Sequence, residues 1–257
     1  MPPSSPETLG PDRIATNRRR GVALAALPAL VAFVVAFLVA GLVVSPLVGV
    51  VAGAVAALAA ALVAWWGGAA IVFRLSGARV AGLDEQPRVH NLIDGLCAAS
   101  GIPKPELRVV EDDVPNSLAV GVHPRRATVV VTTGLVSTMS RIELEGVLAH
   151  ELCHIKSHDI VPGTVAVTSL GPLALVVPPA GQLVGRGAGS SREEMADLAG
   201  VALTRYPPGL ISALEKIEAA GGPSGRTHAA RDRLTEHLWI LTGGRPLGER
   251  LQALREL

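Results

Sequence analysis

The stretch SRIELEGVLAHELCHIKSHD, residues 140–159, is the segment around which the chain is organised. Ser140 and Glu143 stand three residues apart at its start, in the pattern of a capping box, which predicts that a helix begins here. The apolar residues that follow recur at roughly helical spacing, as one face of a helix requires. We therefore expect one helix that begins just after Ser140.

Within this helix, His150 and His154 are four residues apart. That spacing places both imidazoles on one face, about one turn apart, where they can bind a single metal ion. Glu151 lies next to the first histidine, where a carboxylate can take a proton from a water molecule that a metal has acidified. The H-E-x-x-H pattern on a helix is typical of such a zinc site. The alternative is that the three residues share this spacing by chance and bind no metal.

A catalytic zinc site also needs a third protein ligand and an open position. The stretch SREEMAD, residues 191–197, offers a candidate, because a helix beginning there places Glu193 and Asp197 on one face. Glu193 would then reach the metal, and Asp197 would accept a hydrogen bond from the far ring nitrogen of a ligand histidine. The alternative is a solvated first turn capped by Ser191 and Glu194, acidic because acids suit that end of a helix. Spacing alone leaves both interpretations open.

Taken together, these motifs resemble those of the HtpX-like membrane zinc metallopeptidases, a gluzincin-type family related to the CaaX prenyl endopeptidases. The resemblance is specific in the H-E-x-x-H helix and the SRE-x-x-AD element, and it covers roughly residues 83–257 together with an N-terminal membrane hairpin. The segments that carry it are PNSLA (115–119), VVTTGL (130–135), ELEGVLAHELCHIKSHD (143–159), SREEMADLAG (191–200) and PLGERLQAL (246–254).

The resemblance implies a role for each matching residue. His150, His154 and Glu193 would bind one Zn²⁺ per chain, Glu151 would be the general base, and Asp197 matches the aspartate that follows the ligand glutamate. The implied function is an integral membrane zinc-dependent endopeptidase that hydrolyses peptide bonds. Its expected substrates are polypeptides, in the quality control of membrane or misfolded proteins.

The chain departs from the family pattern at two places. Leu118 stands where the family usually has an aromatic residue, and residues 244–246 (GRP) replace a Thr-His-Pro. These departures motivate an alternative, a non-catalytic membrane protein with a structural or sensory zinc site. The presence of Glu151 favours the enzyme, because a structural site needs no base. CaaX-type prenyl-peptide processing is less favoured, since the membrane part is short.

Residues 21–73 contain no charged side chain. A span needs about 20 apolar residues, so this stretch holds two spans on either side of a turn at Ser45 and Pro46. A cleaved signal peptide is the alternative for the first span, but its apolar core is longer than the ~7–15 residues typical of one. We therefore expect a retained transmembrane hairpin at 21–74.

Basic residues flank both outer ends of the hairpin and are missing from its turn. Three of them, Arg18 to Arg20, close a tail of residues 1–20 that we expect to be disordered and basic. The positive-inside rule places both ends in the cytoplasm, which predicts a multi-pass protein of the plasma membrane whose catalytic domain faces the cytoplasm. The net charge of +1 gives no reason to expect nucleic acid as a partner, so the lipid bilayer and polypeptide substrates are the expected partners.

The region after the hairpin, residues 80–257, predicts a mainly helical metallopeptidase domain with a small β-sheet, so the expected fold class is α+β. The expected helices outside the H-E-x-x-H segment and the one at SREEMAD are 83–100, 209–219, 231–241 and 247–257. The expected strands are 107–110, 117–122 and 127–132, the last two joined as a hairpin. Cys97 and Cys153 are far apart in sequence and suggest no disulfide framework.

Residues 160–186 form an apolar insertion whose first 26 residues carry no charge. A single crossing of the membrane would put Glu193 on the opposite side from His150, and two crossings need about 40 residues plus a turn. Prolines interrupt the stretch, so we expect a broken, membrane-associated hairpin that does not cross. The alternative is an ordinary third span, which would remove Glu193 from the metal site.

Overall fold

The computed structural model describes residues 11–171, 192–221, 234–241 and 246–257. Its helices are α1 (Pro11–Val43), α2 (Pro46–Ser76), α3 (Pro87–Ser100), α4 (Thr133–Thr138), α5 (Arg141–Lys156), α6 (Ile160–Ser169), α7 (Arg192–Thr204), α8 (Pro207–Ala219) and α9 (Leu247–Arg255). Its strands are β1 (Arg79–Val80), β2 (Glu106–Val110), β3 (Ser117–Val120) and β4 (Thr128–Thr132), and 3₁₀ helices lie at Pro124–Arg126 and Glu236–Leu238. The expected α+β class, with a helical hairpin ahead of a mainly helical domain, is confirmed.

Helices α1 and α2 form the apolar hairpin. Ser45 caps α2 by accepting a hydrogen bond from the backbone N–H of Val48, and Pro46 opens the helix, as its fixed φ permits. Close to the turn the two backbones touch, because a Cβ added at Gly49 would lie 2.8 Å from the Cα of Gly41. Both helices are long and apolar enough to cross a membrane, and only 6% and 17% of their most apolar windows are buried within the protein. This exposure is typical of a membrane hairpin and not of helices in a soluble core.

The expectation of a disordered tail is wrong for residues 11–20, because α1 already begins at Pro11. Asn17 explains the order, since it is buried and its side-chain amide donates to the backbone carbonyl of Ser157 over 3.0 Å. Asp12 lies in the first turn, where a negative charge suits the helix dipole. Residues 1–10 of the expected tail lie outside the described residues.

The sheet has the order β1-β2-β4-β3, with β2 and β4 parallel and the other neighbours antiparallel. The expected hairpin is confirmed, since Ser117 pairs with Val131 and Val120 pairs with Thr128. One face of the sheet joins the main core with Val129 and Val131, and the other packs against the end of α2. Strand β3 is therefore an edge strand of the sheet, and it lies between the helical hairpin of α1 and α2 on one side and α5 on the other.

Helix α5 begins as predicted, because Ser140 and Glu143 form the reciprocal capping box. The Ser140 N–H donates to the Glu143 carboxylate over 2.8 Å, and Ser212 and Lys216 of α8 donate to the same carboxylate. From residue 146 to residue 155 every side chain of α5 is buried. The helix therefore has no solvent face there, because its polar side faces α7.

The short helix α6 packs against both α1 and α2. At its closest point the backbone of Gly68 touches the carbonyl of Thr164, which leaves no room for a Cβ. With ten residues, α6 alone is too short to cross a hydrocarbon core, which needs about 20. The remainder of the predicted insertion, residues 172–186, lies outside the described residues, so its membrane association stays a prediction.

Near the C-terminus, α8 and α9 confirm two of the expected helices. The helix expected at 231–241 is confirmed at residues 234–235 but is wrong beyond them, where the 3₁₀ turn Glu236–Leu238 follows and residues 239–241 are not helical. The backbone N–H of Ile240 donates to the carbonyl of Ser117 over 3.2 Å, and His237 Nε2 bonds the carbonyl of Gly163. His237 and Ile240 are therefore hydrogen-bonded to α6 and β3, and these contacts replace the bonds of a continuing helix.

Candidate metal centre and active site

Helices α5 and α7 bring the candidate site residues together. A Cβ added at Gly200 of α7 would lie 3.0 Å from the backbone nitrogen of His150, so the two backbones are in contact. This approach places one potential ligand atom from each of His150, His154 and Glu193 within 4.8 Å of one another. All three side chains are buried, and Glu193 is fully so. The alternative of a solvated acidic first turn is therefore wrong for Glu193.

The facing atoms are the Nε2 atoms of the two histidines and the carboxylate of Glu193. The two Nε2 atoms lie 3.0 Å apart, with their rings nearly perpendicular. The Glu193 carboxylate lies 3.3 Å from His150 Nε2 and 3.6 Å from His154 Nε2. Within the described parts of the chain, Glu193 Oε2 has no hydrogen-bond donor.

A second carboxylate lies behind each histidine. Asp159 Oδ1 lies 2.8 Å from Nδ1 of His154, and Asp197 Oδ1 lies 2.8 Å from Nδ1 of His150. Acids in these positions favour a proton on Nδ1, which leaves the Nε2 lone pairs directed at each other and at Glu193. Asp159 was not singled out as a site residue from the sequence, although it lies only five residues after His154.

Two buried arginines neutralise part of the negative charge of these carboxylates. Arg250 of α9 makes a two-pronged contact with Asp197, through Nε at 2.6 Å and Nη2 at 2.8 Å, and its Nη1 donates to the carbonyl of Ile240. Arg192 donates through Nε to Glu193 Oε1 over 3.0 Å. Burial alone would raise the pKa of Glu193, but His154 and Arg192 lower that pKa well below its ordinary value. Glu193 is therefore ionised.

The charges of this centre do not balance without a cation. The residues concerned, each at most 5% exposed, supply the carboxylates of Glu151, Asp159, Glu193 and Asp197 and the guanidiniums of Arg192 and Arg250. Counted with all four carboxylates ionised and both histidines neutral, their formal charge is −2, which one divalent cation would balance. Although burial lowers the pKa of both histidines, Asp159 and Glu193 raise the pKa of His154 to about 10, and Asp197 and Glu193 raise the pKa of His150, so without metal protons on the two rings supply the positive charge. The donor set and its charge therefore fit one divalent metal ion.

Glu151 lies beside this cluster and is nearly inaccessible to solvent. Ser117 of β3 donates from Oγ to Glu151 Oε1 over 2.6 Å. Burial raises the pKa of Glu151, while the two histidines and the Ser117 hydroxyl offset only part of that shift. A carboxylate with a raised pKa, held in one orientation, is suited to accept a proton near neutral pH. Ser117 belongs to the PNSLA segment, residues 115–119, but the sequence alone assigns it no role.

Among the described residues, the histidines other than His150 and His154 are not part of this cluster. His237 is buried and bonds the carbonyl of Gly163, whereas His123 and His158 lie close to each other, with ring centroids 6.1 Å apart. His228 lies outside the described residues. Leu118, where the family usually has an aromatic residue, is fully buried and packs with Val130 in the sheet.

Because α5 and α7 touch at Gly200, a methyl group added at this position should disturb their packing. Gly200→Ala is expected to force the helices apart and to lower the free energy of unfolding by about 1–3 kcal/mol, as overpacking does. Because Glu193 moves with α7, the substitution should also weaken any binding of a metal ion to the cluster. Thermal unfolding followed by circular dichroism and zinc competition with a chelator measure the two effects.

Gly95→Ala is the matched control for that substitution. Gly95 lies in α3, where an added Cβ meets nothing within 4 Å, so the change should stabilise the protein by about 0.5–1 kcal/mol. If Gly200→Ala were as stable as wild type and bound zinc as tightly, the close contact between α5 and α7 would be wrong.

Comparison with known proteins agrees with the site. Residues 83–257 match the model of peptidase family M48. A protein named "Protease HtpX homolog" from Dictyoglomus thermophilum is 34% identical over 228 residues, covering 72% of this chain and 74% of that protein. Proteins of the same name from Salinibacter ruber and Pyrococcus furiosus are 32% and 33% identical, covering 70% and 61% of this chain and 72% and 65% of their own lengths.

The family match includes both elements that build the site, the H-E-x-x-H helix α5 and the helix α7 that carries Glu193. It extends to α9, whose Arg250 bonds Asp197 behind His150. Because the match spans well over half of the chain and contains every residue of the buried cluster, the chain belongs to peptidase family M48.

Proposed function

We propose that this chain is an integral membrane zinc-dependent endopeptidase. In this proposal His150, His154 and Glu193 are the ligands of one Zn²⁺, and Glu151 is the general base. The observation that carries it is the buried cluster of His150, His154 and Glu193, with the buried carboxylate of Glu151 beside it. Two histidines and a glutamate are a donor set of catalytic zinc sites, in which the remaining position is open.

Each residue of the cluster has a separate task in peptide hydrolysis. Zinc held there would polarise the carbonyl of a peptide bond and lower the pKa of a water molecule. Glu151 accepts the proton of that water and passes it to the leaving amine, and Ser117 keeps the carboxylate in place. Asp159 and Asp197 hold the two histidines with Nε2 free to bind metal.

The edge strand β3 is the proposed place for a polypeptide substrate. The strand begins at Ser117, whose hydroxyl bonds Glu151, and an extended chain can pair with the edge of a sheet. The backbone N–H of Ile240 already donates to the Ser117 carbonyl. A substrate that uses this carbonyl must therefore displace the segment around Ile240.

The hairpin of α1 and α2 supports a multi-pass placement in the plasma membrane. Basic residues at both of its outer ends favour a cytoplasmic orientation for the catalytic domain. Membrane or misfolded proteins are then the proposed substrates. The relatives' printed name, "Protease HtpX homolog", supports the peptidase part of this proposal.

The experiment that tests the proposal measures bound zinc per chain and casein cleavage in detergent-purified protein. We expect about one zinc per chain in wild type, as the single cluster of the described residues requires. Glu193→Ala should lose most of the metal and all cleavage. Glu194→Ala, the neighbouring and less buried residue of α7, should retain both.

Two results would contradict the proposal in different ways. Zinc retained in Glu193→Ala would mean that the third ligand lies elsewhere. Zinc lost in the variant, but with no cleavage by metal-loaded wild type, would favour the structural or sensory metal site over the enzyme.

A further inference from the structure

A cationic cavity lies where the hairpin meets the sheet, apart from the metal centre. Its volume is about 370 Å³. The lining residues that matter here are Arg18, Trp66, His123, Arg125, Arg126 and His158. They come from α1, α2, the turn between β3 and β4, and the segment after α5. Four parts of the chain therefore converge on one positively charged pocket.

The arginines of this pocket have no acidic partner in the part of the chain that the structure describes. Among the described residues, Arg18, Arg125 and Arg126 are all exposed, and none forms an ion pair with a carboxylate. No acid is among the described residues that line the cavity. Burial lowers the pKa of His158, and His123 and Arg18 lower it further, while Asp159, the next residue along the chain, opposes the shift. The pocket is therefore built for an anion.

The aromatic and backbone geometry also holds the pocket in shape. The guanidinium of Arg126 lies over the ring of Trp66, 5.3 Å from its centroid, a cation–π contact that restricts the arginine. His123 Nδ1 accepts from the backbone N–H of Arg125 over 3.1 Å and so fixes the turn. His158 has a φ of 57°, a left-handed conformation that is uncommon outside glycine. That conformation brings its ring against His123.

The depth of the pocket along the hairpin matches the surface of a bilayer. Trp65 and Trp66 lie 20 and 21 residues after Ser45, which at 1.5 Å per residue is about 30 Å along α2, close to the thickness of the hydrocarbon core. Arg18 lies 27 residues before Ser45, about 40 Å along α1, at the level of the headgroups. Tryptophan is enriched at this interface.

We propose that this pocket binds the phosphate of an anionic phospholipid headgroup. Arginine forks match the geometry of phosphate oxygens and form strong charge-assisted hydrogen bonds with them. Basic pockets at the cytoplasmic ends of membrane helices are suited to such headgroups. The depth of the pocket identifies a lipid as the source of the phosphate. A bound headgroup would connect Arg18 of the hairpin with Arg125 and Arg126 of the sheet.

The test uses full-length protein in a neutral detergent and two fluorescent lipids, NBD-labelled phosphatidylglycerol and NBD-labelled phosphatidylcholine. We expect wild type to bind phosphatidylglycerol at least about tenfold more tightly than phosphatidylcholine, since charge-assisted contacts discriminate at this level. The double variant Arg125→Gln/Arg126→Gln should lose most of this preference. A millimolar excess of inorganic phosphate should not displace the labelled phosphatidylglycerol.

The matched control is Arg141→Gln/Arg255→Gln, which removes two exposed charges that are not among the residues lining the pocket and should bind phosphatidylglycerol as wild type does. Thermal unfolding and bound zinc should be the same in both double variants, which separates a lost site from a lost fold. Equal binding of phosphatidylglycerol by wild type and Arg125→Gln/Arg126→Gln would overturn the proposal. Displacement by inorganic phosphate would reassign the pocket to a free anion.

Discussion

Glu151→Gln is expected to reduce the rate of peptide hydrolysis by about 10²–10⁴-fold, the usual contribution of a general base. The amide keeps the size of the side chain and can still accept the hydrogen bond from Ser117, but it cannot take a proton. Glu151 is not one of the three grouped ligand residues, so bound zinc and thermal stability should stay at the wild-type level. Casein cleavage and zinc content, measured on the same preparation, give both results.

The control for this substitution is Glu145→Gln, on the same helix but only partly buried. It should leave hydrolysis unchanged. If Glu151→Gln kept wild-type activity, the base would be another group. If it lost the metal, Glu151 would belong to the ligand set, and the assignment of Glu193 would need revision.

Arg250→Met is expected to lower the free energy of unfolding by about 3–5 kcal/mol, the range for breaking a buried ion pair from one side. The substitution leaves Asp197 ionised in a site that is almost closed to solvent, and it removes a positive charge 3.8 Å from Glu193. Zinc binding should weaken as well, because Asp197 loses the contacts that hold it beside His150. Chemical unfolding in detergent, with and without a chelator, measures both effects.

Arg255→Met is the matched control, five residues along the same helix. Its side chain is 60% exposed and pairs with Glu215 at the surface, so its loss should cost less than about 1 kcal/mol. Arg250→Lys should fall between the two, because lysine restores the charge but not the two-pronged contact. Equal stability of Arg250→Met and Arg255→Met would contradict the proposed role of Arg250.

The parts of the fold that were predicted well depend on contacts between near neighbours in sequence. The capping box of Ser140 and Glu143, the hairpin of β3 and β4, and the turn at Ser45 each need only residues a few positions apart. Local patterns of this kind carry their own physical cause, since a helix start or a tight turn is closed by its own hydrogen bonds. The errors have the opposite character. Residues 11–20 are helical partly because Asn17 bonds Ser157, which is 140 residues away.

The residues of the candidate site also fall into two groups, those that local spacing predicts and those that it does not. His150, Glu151 and His154 follow from one helical turn, and the resemblance to a known family singled out Glu193 from its acidic neighbours. Ser117 and Arg250 could not be assigned roles in this way, because their partners lie 34 and 53 residues away. No periodicity relates such positions, so only their meeting in space identifies them.

By itself, the sequence determined an apolar hairpin, a metal-binding helix and the type of chemistry that the helix can perform, since each depends on local spacing and composition. Only the tertiary structure decided that the cluster is buried and that Asp159, Arg192 and Arg250 surround it. It also decided that Arg18 meets Arg125 and Arg126 beside Trp66. Burial and charge balance arise from packing between distant segments, because the energy of a charge depends on everything around it and not on its neighbours in sequence.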